Sequence, residues 1–285
     1  MTTKRKQMHK LRGDKRAISP AISAVIITSS VVILVLVTVV FANSYLNGRI
    51  AENEFSAMKQ FMQTAGLQID DVAWIPGRTQ TIRYASRFGQ VSFESLTLNY
   101  TVSVNKGAGY VYLANYTTGI LLFKMPVSKY SVADNYVERI FPQDSSFVQK
   151  GTSAPVSHVF VVEKLAMNDG SFIRVVVAPT LRMLNSTIVA GGETMNYSKF
   201  YLPVLSQGDN PYRSQSVTFV GKNVAVKTEG NVNAVKIEVS FLKGGLGYSA
   251  DFFNFKNLVE EVDIPDGSVV ELYTGEVTVS LGLHP

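Results

Sequence analysis

The chain has 285 residues, 46% of them hydrophobic and only 17% charged, with a mean hydropathy of +0.12. That balance excludes an intrinsically disordered chain and points to a buried or membrane-embedded segment. The absence of cysteine removes disulfide scaffolds, thiolate zinc sites and cysteine nucleophiles together. The formal net charge of +5 is a property of one end. Residues 1–17 carry Lys4, Arg5, Lys6, Lys10, Arg12, Lys15 and Arg16 against Asp14, and the rest holds 20 of the 27 bases and 21 of the 22 acids. So local an excess, beside an apolar run, gives no ground for a nucleic-acid partner.

From Ile18 to Gly48 there is no charged residue, and Ala21 to Ala42 reads AISAVIITSSVVILVLVTVVFA. As a helix this run spans about 33 Å, enough for a hydrocarbon core of about 30 Å. In lipid its many Val, Ile and Thr residues still favour helix, because the backbone has no other way to satisfy its hydrogen bonds. Seven bases precede it; beyond it come Arg49, Glu52 and Glu54 before Lys59. The positive-inside rule then puts residues 1–17 in the cytoplasm and 49–285 outside, a single-pass topology. The segment has three readings: a secretory signal cut after Val40-Phe41-Ala42, an uncleaved anchor, or a segment processed at its N-terminal junction.

That junction reads Lys15-Arg16-Ala17-Ile18-Ser19-Pro20-Ala21-Ile22. It resembles the class III signal peptides of archaeal type IV pilin-like proteins, with the archaellin/pilin type of N-terminal domain. Those have a basic leader, a small residue, a cut, then a hydrophobic residue, Ser-Pro and a long apolar helix. The resemblance covers about residues 12–50. It implies cleavage between Ala17 and Ile18 by a prepilin peptidase, assembly by pilus machinery, and self-assembly through N-terminal helices that leave membrane lipid for a filament core. Bacterial members usually keep a Glu five residues into the mature chain; here Ile22 holds that place, as in many archaeal members. Pro20 suits a helix start, where its missing N–H has no intrahelical partner.

Helical spacing continues through Leu46, Ile50, Phe55, Met58, Met62 and Ala65, with Glu52, Glu54, Lys59 and Gln63 opposite, and predicts helix to about Ile69 or Val72. That stripe packs either on neighbouring subunits or on the chain's own head. Trp74-Ile75-Pro76-Gly77 ends the helix, with the single Trp expected to pack at the base of the head.

The remainder has β patterning. Leu96, Leu98, Tyr100, Val102 and Val104 alternate with Thr97, Asn99, Thr101 and Ser103, and 235–241 and 277–283 behave alike. Further strands are expected near 80–93, 109–114, 119–124, 157–163, 172–178, 199–205, 216–220 and 268–273, with a tight hairpin at Tyr273-Thr274-Gly275-Glu276. The expectation is an α+β chain. A leader covers 1–17 and a transmembrane and stalk helix 18–75. An antiparallel β-sandwich-like head covers 76–285 and could subdivide near 206–211.

No catalytic constellation is legible, so no enzyme activity and no cofactor is expected. The histidines are His9, His158 and His284; His158 lies in a strand-like context and reads as a satisfied structural residue. Walker A, GxSxG and GxGxxG patterns are absent. Glu260, Glu261, Asp263 and Asp266, and secondarily Asp70 with Asp71, offer oxygen ligands but match no calcium-loop spacing, so no metal site is assigned. Asn99, Asn115, Asn185 and Asn196 each begin an Asn-x-Ser/Thr acceptor and are candidate N-glycosylation positions. The resemblance implies a structural subunit, major or minor, of a surface filament whose head makes adhesive or cell contacts. The alternative is a monomeric membrane-anchored binding protein.

Overall fold

The structure, a computed structural model, describes residues 20–165, 167–190, 192–210 and 215–282. The leader, the proposed cleavage pair Ala17 and Ile18, His9 and His284 lie outside the described residues. One long N-terminal helix precedes a large, mostly β domain, an α+β arrangement. Helix α1 (Pro20–Ala73) has 54 residues, about 81 Å at ~1.5 Å per residue. The chain divides into two compact units, residues 1–50 and 51–285, so the division falls inside α1. The second unit runs across Ser206–Asn210 without a break.

The strands are β1 (Thr79–Arg83), β2 (Gln90–Asn105), β3 (Tyr110–Pro126), β4 (Tyr136–Phe141), β5 (Val148–Lys150), β6 (Ser157–Glu163), β7 (Phe172–Pro179), β8 (Leu181–Ala190), β9 (Glu193–Gln207), β10 (Ser216–Phe241) and β11 (Val259–Leu281), with a short helix α2 (Ala250–Phe253) between the last two. They form one hydrogen-bonded sheet, ordered β4-β6-β7-β3-β2-β10-β11-β9-β8-β5, with β1 added to β10. Most pairings are antiparallel; β11 with β9 and β5 with β8 are parallel.

Two cores lie on opposite faces of β3, β6 and β7. Leu121, Phe123, Val159, Val161, Val175 and Val177 meet Phe55, Met58, Met62, Ala65, Ile69 and Val72 of α1. The alternate residues Ile120, Leu122, Phe160, Val162 and Val176 face a second core with Tyr100, Ile237, Leu272, Phe200, Phe252 and Phe253. Burial on both faces explains why these three strands read as unbroken apolar runs rather than alternating ones. The stripe on α1 is thereby divided: Phe55, Met58, Met62 and Ala65 dock on the chain's own sheet, whereas Leu46 and Ile50 are exposed.

Several expected breaks are absent. The segments 109–114 and 119–124 are one strand, β3; 216–220 and 235–241 are one strand, β10. The hairpin expected at Tyr273–Glu276 is the middle of β11, paired with β10 on one side and β9 on the other. Its glycine serves a close approach: a Cβ on Gly275 would lie 2.3 Å from the Ala73 carbonyl oxygen, and one on Gly221 2.5 Å from that of Val72. Two in-strand glycines thus seat the end of α1 on the sheet. The expected strand 80–93 is interrupted at 84–89. Leu96, expected to face inward, sits in a bulge with φ 50° and is exposed, while Thr97 is buried in its stead; the register shifts between Glu94 and Leu98. Strands β4, β5 and β8 had no clear sequence signal.

Candidate functional site

Over Ile22–Ile50 every side chain of α1 is exposed except that of half-buried Ser23, and the segment is long and apolar enough to cross a membrane. Three of its hydroxyls are satisfied within the helix: Thr28, Ser30 and Thr38 each donate to the carbonyl four residues earlier at 2.8 Å. A lipid-facing helix needs that internal satisfaction. Val31, Leu34, Val35, Thr38 and Val39 line a shallow apolar groove with the i, i+3, i+4, i+7 spacing of a hole that accepts a side chain from another helix. Where the apolar run ends, Arg49 Nε donates to the Tyr45 hydroxyl at 3.3 Å and its guanidinium lies over the ring, an aromatic–basic pair suited to a polar boundary.

The part of α1 beyond residue 50 is fixed by polar contacts. Glu54 accepts N–H bonds from Arg87, Phe88 and Gly89 at 3.0 Å each and the Ser86 hydroxyl at 2.6 Å. Burial tends to raise its carboxyl pKa, but these donors outweigh it and hold the group below its ordinary value. Trp74 packs edge-on against Tyr201, centroids 5.2 Å apart, and donates to Asp70 at 2.7 Å. It does pack where the helix meets the sheet. Asp70 also pairs with Arg182 at 2.7 Å, and Asp71 with Arg78.

The candidate ligand carboxylates do not converge. Along β11, Glu260 points inward and accepts from Ser146 Oγ (2.5 Å) and Phe147 N (3.0 Å), while Glu261 and Asp263 lie on the exposed face. Period two separates them. Among the described residues no group of three or more His, Asp or Glu side chains is arranged to hold a metal. His158 is fully buried in β6, its Nδ1 2.9 Å from Arg139 Nη1. Burial first, then the Arg139 charge, push its pKa down to about 3, so the imidazole is neutral and accepts from the guanidinium.

Register brings the four Asn-x-Ser/Thr segments together in two facing pairs. Asn99 opposes Thr117 and Asn115 opposes Thr101 across β2 and β3; Asn185 opposes Ser198 and Asn196 opposes Thr187 across β8 and β9. Asn115 and Asn185 are exposed, Asn99 and Asn196 half-buried. Thr117, Thr187 and Ser198 donate to Asn99, Asn196 and Asn185 at 3.0–3.1 Å.

One cluster escaped sequence reasoning. Lys124 on β3 and Arg174 on β7 are register partners, both buried; Lys124 pairs with Glu94 and Asp169 and Arg174 with Asp169, while Lys243 reaches the same Glu94 and Tyr248 the same Asp169. The one signal in the sequence was a lone cation inside each apolar run, GILLFKMP and FIRVVVAP. No family model, curated protein or solved structure matches this chain.

Proposed function

We propose that this chain is a structural subunit, major or minor, of an extracellular type IV pilus-like filament. The carrying observation is α1: its residues 22–42 offer an uncharged, mostly apolar and exposed surface, whereas one face of its residues 51–73 is buried in the β-rich unit. Such a helix is stable alone only in lipid or against other apolar helices. The Lys15–Ile22 junction, by its resemblance, adds cleavage at Ala17/Ile18, which removes the basic leader holding the segment at the inner membrane face. Copies of residues 18–46 then bundle into the filament core, with knobs from one helix entering holes such as that at Val31–Val39. The β-rich unit, a sheet wrapped sandwich-like over its inner core, forms the outer sheath and makes adhesive or cell contacts. Asn99, Asn115, Asn185 and Asn196 are its proposed glycan acceptors. No reaction and no cofactor is assigned.

The test is the N-terminus and state of the native protein. The reading expects Ile18 as first residue and material that pellets as sheared filaments. An intact leader in detergent-soluble membrane overturns it in favour of a monomeric anchored binding protein; an N-terminus at Asn43 overturns it in favour of secretion. Ala17→Asp is expected to block maturation.

A further inference from the structure

Most charges in the β-rich unit lie at its surface; the cluster around Lys124 does not. The Lys124 side chain is 8% exposed and that of Arg174 0%, with Glu94, Asp169 and Lys243 near one quarter. Lys124 Nζ lies between two carboxylates, 2.8 Å from Asp169 Oδ2 and 3.2 Å from Glu94 Oε1. The other Asp169 oxygen, Oδ1, accepts from Arg174 Nη2 at 2.5 Å. That guanidinium is itself fixed by the Phe172 carbonyl at 2.8 Å and the Gly170 carbonyl at 3.2 Å. The Tyr248 hydroxyl is 3.5 Å from Asp169 Oδ2, and Lys243 Nζ 3.2 Å from Glu94 Oε2. Three cations thus share two carboxylates, with Lys124 and Arg174 held away from water and the other members partly exposed.

We propose that Lys124 and Asp169 become joined by an intramolecular amide bond, formed by this cluster without any other reagent. The geometry supplies each role. The amine and the carboxyl it would join are already in hydrogen-bond contact, and the Lys124 side chain has almost no access to water; a neutral product relieves the cost of keeping a charge there. One Nζ proton passes to Asp169 Oδ2. The neutral amine then attacks Asp169 Cγ and the C–N bond forms. Negative charge develops on Oδ1, where Arg174 Nη2 already donates. Glu94 takes a second proton from the nitrogen and delivers it to the departing hydroxyl. The Cγ–Oδ2 bond breaks and one water leaves, with the third proton kept on the amide nitrogen. Charge balances, since a zwitterionic pair becomes a neutral amide and water. In the resting cluster burial raises the Asp169 carboxyl pKa, but the contacts of Lys124 and Arg174 prevail and hold it below its ordinary value. The first proton transfer is therefore the slow step, tolerable in a reaction that each molecule performs once. The product ties β3 to the turn between β6 and β7, closing a loop from residue 124 to residue 169 and restricting the unfolded chain.

The test is mass spectrometry of the full chain, purified in detergent, held folded at neutral pH for several days and then denatured. The expected result is a loss of about 18 Da, one water, and a branched peptide joining the segments that contain Lys124 and Asp169. Trypsin is expected to leave the bond after Lys124 uncut, since it needs the unmodified side chain. Lys124→Arg is expected to keep the full mass, and Glu94→Gln to slow closure by at least about 100-fold. A wild-type chain of unreduced mass, a linear tryptic peptide ending at Lys124 in most molecules, or a water loss that persists in Lys124→Arg overturns the proposal. Closure in Glu94→Gln as fast as in wild type overturns the role given to Glu94. The peptide map of the wild type decides the matter even if a variant fails to fold.

Discussion

Replacing Gly275 by alanine tests how α1 is seated. In an ordinary strand the change favours folding by about 0.5–1 kcal/mol, because alanine has less backbone freedom to lose. Here the new methyl would lie 2.3 Å from the Ala73 carbonyl oxygen, 2.9 Å from its carbon and 3.0 Å from its Cβ. Two of those atoms are backbone, so relief requires moving the helix end, which is also held by Trp74 on Tyr201 and by Asp70 on Arg182. Overpacking of this kind costs about 1–3 kcal/mol, which reverses the sign. Gly230 is the control: it lies in β10, and a methyl added to its Cα would meet nothing within 4 Å, so Gly230→Ala is expected to be neutral or stabilising. Urea unfolding followed by fluorescence of Trp74, the single tryptophan, reads the site directly. With a slope of about 3 kcal/mol per molar urea, the upper end of the usual range and fitting for a unit of this size, Gly275→Ala lowers the midpoint by roughly 0.3–1 M. Equal midpoints for Gly275→Ala and Gly230→Ala would refute the close approach.

Three further outcomes are expected. The neutral, buried His158 has a folded pKa of about 3 against an ordinary 6.5, so the unfolded chain takes up the proton first. Its contribution is complete above pH 6.5 and declines as pH falls toward 3, amounting to about 2 kcal/mol between pH 7 and pH 5; His158→Gln should lose that much less over the same interval in matched denaturation curves. Glu54→Gln removes a charged acceptor from three backbone N–H groups, with an expected cost of about 1–3 kcal/mol and faster hydrogen exchange at Arg87, Phe88 and Gly89; unchanged exchange there contradicts the assignment. Met62→Ala opens space between α1 and the sheet, where Met62 is fully buried, and is expected to cost about 2–5 kcal/mol, whereas Leu46→Ala, at an exposed position, leaves the stability of the β-rich unit unchanged by thermal melting.

Composition and spacing by themselves determined the long apolar helix, its end at Trp74–Gly77, and the β character of the remaining chain. These are local matters: a run without charge, a Pro-Gly pair and a period of two act over a few residues. The inward row Leu98–Val104 was legible for the same reason. Tertiary structure alone decided the rest. The meaning of Gly221 and Gly275 depends on what approaches them, and the approaching chain is the end of α1, distant in sequence. The stripe from Leu46 to Ala65 is continuous in sequence, yet only its second half meets the sheet, because β3, β6 and β7 present a second apolar face there. The carboxylates of β11 look like a cluster in sequence and are parted by the pleat. Lys124, Asp169, Arg174 and Glu94 look scattered and are gathered by the register of β3 with β7 and by the β6–β7 turn. Periodicity reports which face of an element is apolar; which element covers that face is a long-range choice, made by packing and strand register.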